Sequence, residues 1–448
     1  MEKPGVYAKK AERNFHTHWA SFLAACGLLA TASLLHSQWV ETGGPYGQTI
    51  TSLAILHSPG SPGDTTYLLA GTLGGGVYRI PVAGGIWRQD TIGLRRTDVI
   101  SLAVKHPSAP GDTSSIFAGT NGGGIFRSLN GGATWAKANG GLTDSVVYAM
   151  TVSNGAVFAG TFGSGVFRSD DDGTTWKQAN TGLANHYVKA LAASNAGIFA
   201  GTYLGGVFRS VDGGNTWTEA NQGLDYSDVT CLVALDSALF AGTYGGGVFR
   251  SADAGDSWAA CDQQINLWVP ALAVQRAPSG IYVFAGTSGG GVFFSADGGR
   301  SWKQINAGLT NTWISALLTC PDPEGTREVY VFAGTDGSGV WRRSLSEILT
   351  SVESRLSGLP VGFALEQNTP NPFTGATRIT FAVPFHVYTC LTVYDTLGRE
   401  IATLLAQDHS PGTHSLIWDA SGLPSGVYLF RLQAGPFCAS RKAVLFPK

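Results

Sequence analysis

Charge is what this sequence has least of. Only 13% of its 448 residues are Asp, Glu, Lys or Arg, about half the usual ~25%. Disorder driven by charge is excluded, because such chains combine high net charge with few aromatics; here 11% of residues are aromatic and the net charge is −2. No basic surface is announced, so nucleic acid is not an expected partner. Cysteine is also scarce. Cys26 lies in the first segment, and Cys231, Cys261, Cys320, Cys390 and Cys438 are an odd set without CxxC or Cys/His spacing. A zinc site is therefore not expected, nor any other metal or cofactor. Cys390 and Cys438 share one C-terminal segment; whether they pair stays open. A membrane-length apolar run is missing too. Trp19 to Leu35 gives seventeen uncharged residues, short of the ~20 a spanning helix needs. This run follows Lys9, Lys10 and Arg13 and precedes small or polar residues, the order of a secretory signal peptide over residues 1–37, with cleavage after Ala32 or near Ser37. No stable membrane span is expected once it is removed.

Glycine is abundant, with 61 residues, yet it does not recur every third residue, so collagen is excluded. It recurs at longer range. Ala-Gly-Thr appears with its glycine at 71, 119, 160, 201, 242, 286 and 334, in steps of 41 to 48 residues. Each copy leads through a Gly-rich turn to an apolar pair, from Val77-Tyr78 to Val340-Trp341. Five copies continue into an octet Ser-x-Asp/Asn-x-Gly-x-Thr/Ser-Trp: Ser128 to Trp135, Ser169 to Trp176, Ser210 to Trp217, Ser251 to Trp258 and Ser295 to Trp302. A degenerate copy ends at Trp87.

Within one copy four short strands are expected: Val188–Leu191, Gly197–Thr202, Gly206–Ser210 and Thr216–Ala220. Turns containing Gly and Asp separate them, as in an antiparallel meander. Four strands per ~40–45 residues is the size of a propeller blade. The fold expected over residues 38–345 is an all-β, seven-bladed propeller. Its seventh blade lacks a tryptophan of its own, and Trp39 is the missing one. The N-terminal strand should complete the last blade and leave no open sheet edge.

The octets resemble Asp-boxes, the hairpin motif of the BNR-repeat propellers, over residues 38–345. That superfamily includes sialidases, xyloglucan-cleaving glycosidases, sortilin-like receptors and a photosystem assembly factor. The resemblance implies structural roles for Asn130, Asp171, Asp212, Asp253 and Asp297, whose side chains would accept N–H groups within their own turns. It implies packing between blades for Trp135, Trp176, Trp217, Trp258 and Trp302. The run Asp170-Asp171-Asp172 reads as a turn, not as a calcium site, which needs six to eight oxygens.

The repeat stops near residue 346. Residues 346–361 read as a linker, and residues 362–448 as a small Ig-like β-sandwich of alternating strands. This segment resembles the type A C-terminal sorting domain of the type IX secretion system. The resemblance is carried by Gln367-Asn-Thr-Pro-Asn-Pro-Phe373, Val393-Tyr-Asp-Thr-Leu-Gly398, Ser425-Gly-Val-Tyr-Leu-Phe-Arg-Leu432 and Arg441-Lys-Ala-Val-Leu-Phe446. It implies type IX secretion machinery as partner through 362–448. The expected location is the outer-membrane exterior of a Gram-negative bacterium, secreted or on the surface.

Function must come from residues that break the repeat. After Ala-Gly-Thr these are Leu73, Asn121, Phe162, Tyr203, Tyr244, Ser288 and Asp336. Ahead of the first strand they are Thr49, Asp98, Val146, Tyr187, Asp228, Trp268 and Trp313. Both sets should lie on one face, opposite the octets. Phe162, Tyr187, Tyr203, Tyr226, Tyr244, Trp268 and Trp313 would give a rim suited to sugar rings or peptide segments. Burial of these rings between blade loops is the competing expectation. No catalytic residue is assigned. Glycosidase chemistry needs paired carboxylates, and the rim offers only Asp98, Asp225 and Asp228 as weak candidates, beside Asp144 and Asp336. Arg79, Arg127, Arg168, Arg209, Arg250 and Arg342 repeat at one blade position and so read as scaffold, which removes the arginine cluster a sialidase needs. The expected function is a monomeric, secreted or cell-surface binding module for a carbohydrate or protein. A glycoside hydrolase using rim carboxylates and a structural matrix protein are the alternatives.

Overall fold

A computed structural model describes residues 38–58, 65–107, 113–261, 265, 268–277, 280–321, 328–356, 363–383, 387–409, 412–434 and 437–447. The expected signal peptide lies outside these residues. The chain divides into two compact units, with the division after Ile348.

In the first unit, seven four-stranded antiparallel sheets follow one another along the chain. Blade 4 is representative, with strands Val188–Ser194, Gly197–Thr202, Gly206–Ser210 and Thr218–Glu219. The first strands of blades 1 to 7 begin at Ile50, Val99, Val147, Val188, Val229, Ala271 and Ile314. Each packs against the first strand of the next blade, and that of blade 7 returns to that of blade 1. The sheets therefore close into a ring.

The Ala-Gly-Thr motif sits at the end of the second strand, where both faces are buried. Alternating side chains enter different cores: Phe199 joins Val229, Leu239 and Trp258 on the side of blade 5, while Ile198 and Ala200 join Phe158 and Trp217 on the side of blade 3. Such cores straddle neighbouring blades, which is why the strand is apolar at nearly every position. The motif's glycine leaves room for the next blade. A Cβ on Gly201 would lie 2.6 Å from Cγ1 of Val229, and one on Gly334 would lie 2.5 Å from Cγ2 of Ile50 across the ring seam. The motif's threonine, fully buried, donates its hydroxyl to the carbonyl four residues on, as Thr202 does to Gly206 at 2.9 Å.

The N-terminal strand Val40–Glu41 pairs with Trp341 and Arg342 as the outer strand of blade 7. Trp39 is buried, and its indole Nε1 donates to the Ile305 carbonyl at 2.7 Å. Trp176, Trp217 and Trp258 do the same to Ala138, Ala179 and Ala220 at 2.7–2.8 Å. Trp39 thus occupies the tryptophan position of the last blade. The outer strands themselves are two or three residues long and start after the tryptophan, so they are shorter than the sequence suggests.

The segment expected as a linker overlaps a helix, α1 (Leu345–Leu356). Leu345 and Ile348 are buried. The Glu328 carboxylate accepts the Ser346 N–H and hydroxyl at the helix start, where negative charge is favoured.

The second unit holds two sheets. One runs Ala364–Leu365, Ala376–Val383, Gly412–Asp419; the other runs Glu400–His409, Val387–Tyr394, Gly426–Ala434, Phe437–Leu445. Phe373, Ile379, Phe381, Leu391, Val393, Trp418, Phe430 and Leu432 form their shared core. The opening motif clamps the terminal strand. Gln367 and Asn371 both donate to the Lys442 carbonyl, and Asn371 Oδ1 accepts the Val444 N–H. The two ends of the sorting signature are thus one structural unit. Cys390 and Cys438 do not pair: both thiols are free, and Gln433 of an intervening strand is in register with each. Two strand spacings of ~4.8 Å exceed the Cα separation a disulfide spans.

Candidate functional site

Strand direction sorts the loops into two faces. The third strand of each blade starts at the Ala-Gly-Thr turn and ends at the octet, so these lie at opposite ends of the ring. At the octet end the local chemistry is closed on itself. Ser169 donates to Asp171 Oδ1, the same oxygen accepts the Thr175 N–H, and Thr175 Oγ1 donates to Oδ2 at 2.6 Å. Asp212, Asp253 and Asp297 repeat this set, and Asn130 repeats its amide counterpart. These bonds hold the acids low. The Thr175 and Thr216 hydroxyls lower Asp171 and Asp212 to about 2, and the Ser251 and Ser257 hydroxyls lower Asp253 to about 2. In the acidic run, Asp170 pairs with Arg168 and Asp172 with Lys105. No cluster of three metal-ligating side chains occurs among the described residues.

The repeated arginines reach across blade boundaries. Arg79, Arg168 and Arg209 donate to the carbonyls of Gly131, Gly213 and Ala254 in the next blade's octet, at 2.7–2.9 Å. Arg127 and Arg342 bond to Asp172 and Val82. These five guanidinium groups join blades through backbone carbonyls, and Arg79 and Arg168 also pair with Asp90 and Asp170 of their own blades.

At the other end, the two sets of non-repeating residues meet. One backbone hydrogen bond per blade joins them: Leu73 to Thr49, Asn121 to Asp98, Phe162 to Val146, Tyr203 to Tyr187, Tyr244 to Asp228, Ser288 to Trp268 and Asp336 to Trp313, at 2.9–3.2 Å. Each blade therefore presents two variable side chains next to one another. All seven rim aromatics are 41–61% exposed, so they are not fully buried between blade loops. They also meet between blades. Phe162 and Tyr187 are edge-to-face with centroids 5.2 Å apart, and Tyr244 and Trp268 are 5.6 Å apart. Tyr226 lies over Gly246, where a Cβ would come within 2.3 Å of its ring. Trp313 bridges to Ser288 through the backbone.

Two rim residues escape the sequence reading. A β-bulge in the first strand turns the residue after its leading Val or Ile out of register. In blade 3 that residue is Tyr148, exposed and 5.7 Å from Phe162. In blade 4 it is Lys189, whose Nζ sits 4.8 Å above the Tyr203 ring and 2.7 Å from Asp228 Oδ1. The signal was its offset from the repeat, at a position outside both variable sets.

Asp98 and Asp228 are not brought together. Asp98 and Asp228 are in blades 2 and 5, with two blades between them. Asp228 is ion-paired with Lys189, Asp144 accepts the Val146 N–H, and Asp336 accepts the Thr49 hydroxyl. Asp225 is exposed and Asp98 half-buried, and neither carboxylate makes a hydrogen bond or ion pair among the described residues. Arg95 and Arg96 are exposed at the entry to blade 2, and His186 is exposed ahead of the first strand of blade 4. The described side chains of this face offer flat rings to stack on and charges to pair.

The DUF6242 beta propeller domain matches residues 111–348, more than half of the chain. The chain belongs to this family. A secretion system C-terminal sorting domain matches residues 369–445. The chain is therefore a secreted or cell-surface propeller carrying a type IX sorting tail. No helix among its described residues is long and apolar enough to cross a membrane. No curated protein matches it. Solved structures similar to it share the fold at low identity. The extracellular domain assigned to a hybrid two component system from B. thetaiotaomicron is 14% identical over 91% of this chain and 56% of that one, with a TM-score of 0.53. The chain thus spans a little over half of that ectodomain. YCF48 bound to D1 peptide is 18% identical over 68% and 96%, with a TM-score of 0.51. YCF48 from Cyanidioschyzon merolae is 16% identical over 68% and 98%, with a TM-score of 0.50.

Proposed function

We propose that this secreted or cell-surface propeller is a binding module. It holds an extracellular carbohydrate or protein on the aromatic rim of blades 3 to 7. Its C-terminal domain, residues 362–448, is the part that engages the type IX machinery. The observation that carries the reading is the exposure of seven aromatic side chains on one end of a rigid ring. Exposed rings of this kind are the usual anchors of recognition surfaces, and loops on a rigid scaffold are the usual place for them. That YCF48, of similar fold, was solved with a peptide bound is consistent with a protein ligand here.

The test compares the full chain with a Tyr187→Ala/Tyr244→Ala/Trp268→Ala variant on glycan and peptide arrays, with hydrolysis assayed in parallel. Retained melting temperature and binding at least tenfold weaker are expected for the variant. Glycan hydrolysis that disappears in Asp98→Asn or Asp225→Asn would replace binding by glycosidase chemistry. Unaltered binding by the triple variant would remove the rim from the function.

A further inference from the structure

The aromatic rim is acidic as well as aromatic. In the loops and bulges of blades 3 to 7, the described charged groups are the carboxylates of Asp144, Asp225, Asp228 and Asp336 and the single ammonium of Lys189. Four negative charges against one leave the described residues of this sector at −3. Arg95 and Arg96, which would offset it, belong to the approach to blade 2.

The rim already shows how such a surface holds a cation. Lys189 Nζ lies 4.8 Å from the centre of the Tyr203 ring and 2.7 Å from Asp228. A ring face and a carboxylate act together on one ammonium, since the negative face of the ring and the carboxylate attract it alike. One blade further the same two kinds of group recur without a cation. Tyr226, Tyr244 and Trp268 are 48%, 61% and 41% exposed and gather around the turn after Thr243. Asp225, in the connection that carries Tyr226, is exposed and makes no hydrogen bond or ion pair among the described residues.

We infer that Tyr226, Tyr244, Trp268 and Asp225 form a cation-binding site that takes the lysine or arginine side chain of an extended, basic protein segment. This rests on the rim being a binding surface and names its ligand class. An acidic polysaccharide would be repelled by the sector's charge, and a neutral one, though its hydroxyls can donate to Asp225, would bring no positive charge to offset it. Screening by salt is expected, because the site is open to water.

Calorimetric titration of the full chain with penta-lysine amide, penta-aspartate and cellopentaose tests it. Penta-lysine should bind, more weakly as salt rises, and penta-aspartate should not. Tyr244→Ala should weaken penta-lysine binding about tenfold and Asp225→Asn several-fold, at unchanged melting temperature. Tyr244→Phe, which keeps the ring, should bind within about twofold of wild type. Tyr388→Ala, which removes an exposed tyrosine of the sorting domain, should have no effect. Penta-lysine binding that ignores both Tyr244→Ala and Asp225→Asn would overturn the site. Cellopentaose binding that needs Tyr244, with no binding of penta-lysine, would overturn the cationic ligand while leaving the rim a binding surface. Failure of all three ligands, together with unaltered array binding by the triple rim variant, would overturn both readings.

Discussion

At the scale of single residues, the octet aspartates show how a carboxylate can be conspicuous in sequence and still be unavailable for chemistry. Asp171 spends both oxygens on its own turn, and the Thr175 hydroxyl leads the contacts that lower it to about 2 from 3.8. A carboxyl depressed on folding stabilises the fold above its unfolded value, and the contribution is lost as pH falls through the folded one. The octets should therefore loosen between about pH 4 and pH 2, with Asp171, Asp212 and Asp253 titrating near 2 when their side-chain carbons are followed by NMR. Asn130 shows that the turn tolerates an amide, since its Oδ1 keeps the bond from the Thr134 N–H at 2.9 Å. Asp171→Asn should accordingly keep the melting temperature near that of wild type and abolish the local titration. Asp171→Ala should lower the melting temperature, because the Thr175 N–H loses its acceptor. The roles of these acids were legible because their partners lie within four residues. Lys189 was not legible, because Asp228 is a blade away and only ring closure brings them together.

At the scale of elements, short-range periodicity carried most of the information. Strand positions followed from Gly-rich turns, and the motif glycines followed from packing against the next blade. What stayed open depended on more than local pattern. The Cys390–Cys438 question turned on which strand lies between them, and Gly426–Ala434 does. The helix at Leu345–Leu356 was hidden because Ser346 to Gly362 was read by composition, although Leu345, Ile348 and Leu349 carry the three-and-four spacing of a helix face. The sorting motif gains a physical role from the clamp described above. Asn371→Ala removes the donor to Lys442 and leaves the Val444 N–H without Oδ1. A cost of about 1 to 3 kcal/mol is expected for such a loss. Calorimetry should show it in the transition of the sorting domain, whose core is its own, with the propeller transition unmoved.

At the scale of the whole molecule, a ring differs from an open array because every blade has two neighbours, and stability depends on the seam. Contacts at both its edges help to close it. Trp39 enters the outer edge of blade 7, Gly308, at φ +91°, leaves room for the Trp39 carbonyl, and Gly334 receives Ile50 at the inner edge. The repeat count in the sequence made the missing tryptophan visible, and the position of Trp39 ahead of blade 1 made its destination a matter of ring closure. Trp39→Ala removes a buried indole and its hydrogen bond, for which about 3 to 5 kcal/mol is expected. The propeller transition should fall by roughly 5 to 15 °C, and deletion of residues 38–42 should lower it further because blade 7 then ends on an unpaired strand. The sorting-domain transition should stay in place in both variants, the converse of the Asn371→Ala result. A propeller transition unchanged by the deletion would mean that the inner contact of Gly334 with Ile50 closes the ring by itself. The rim would then remain in register without its outer strand, and binding by the deletion variant would be retained.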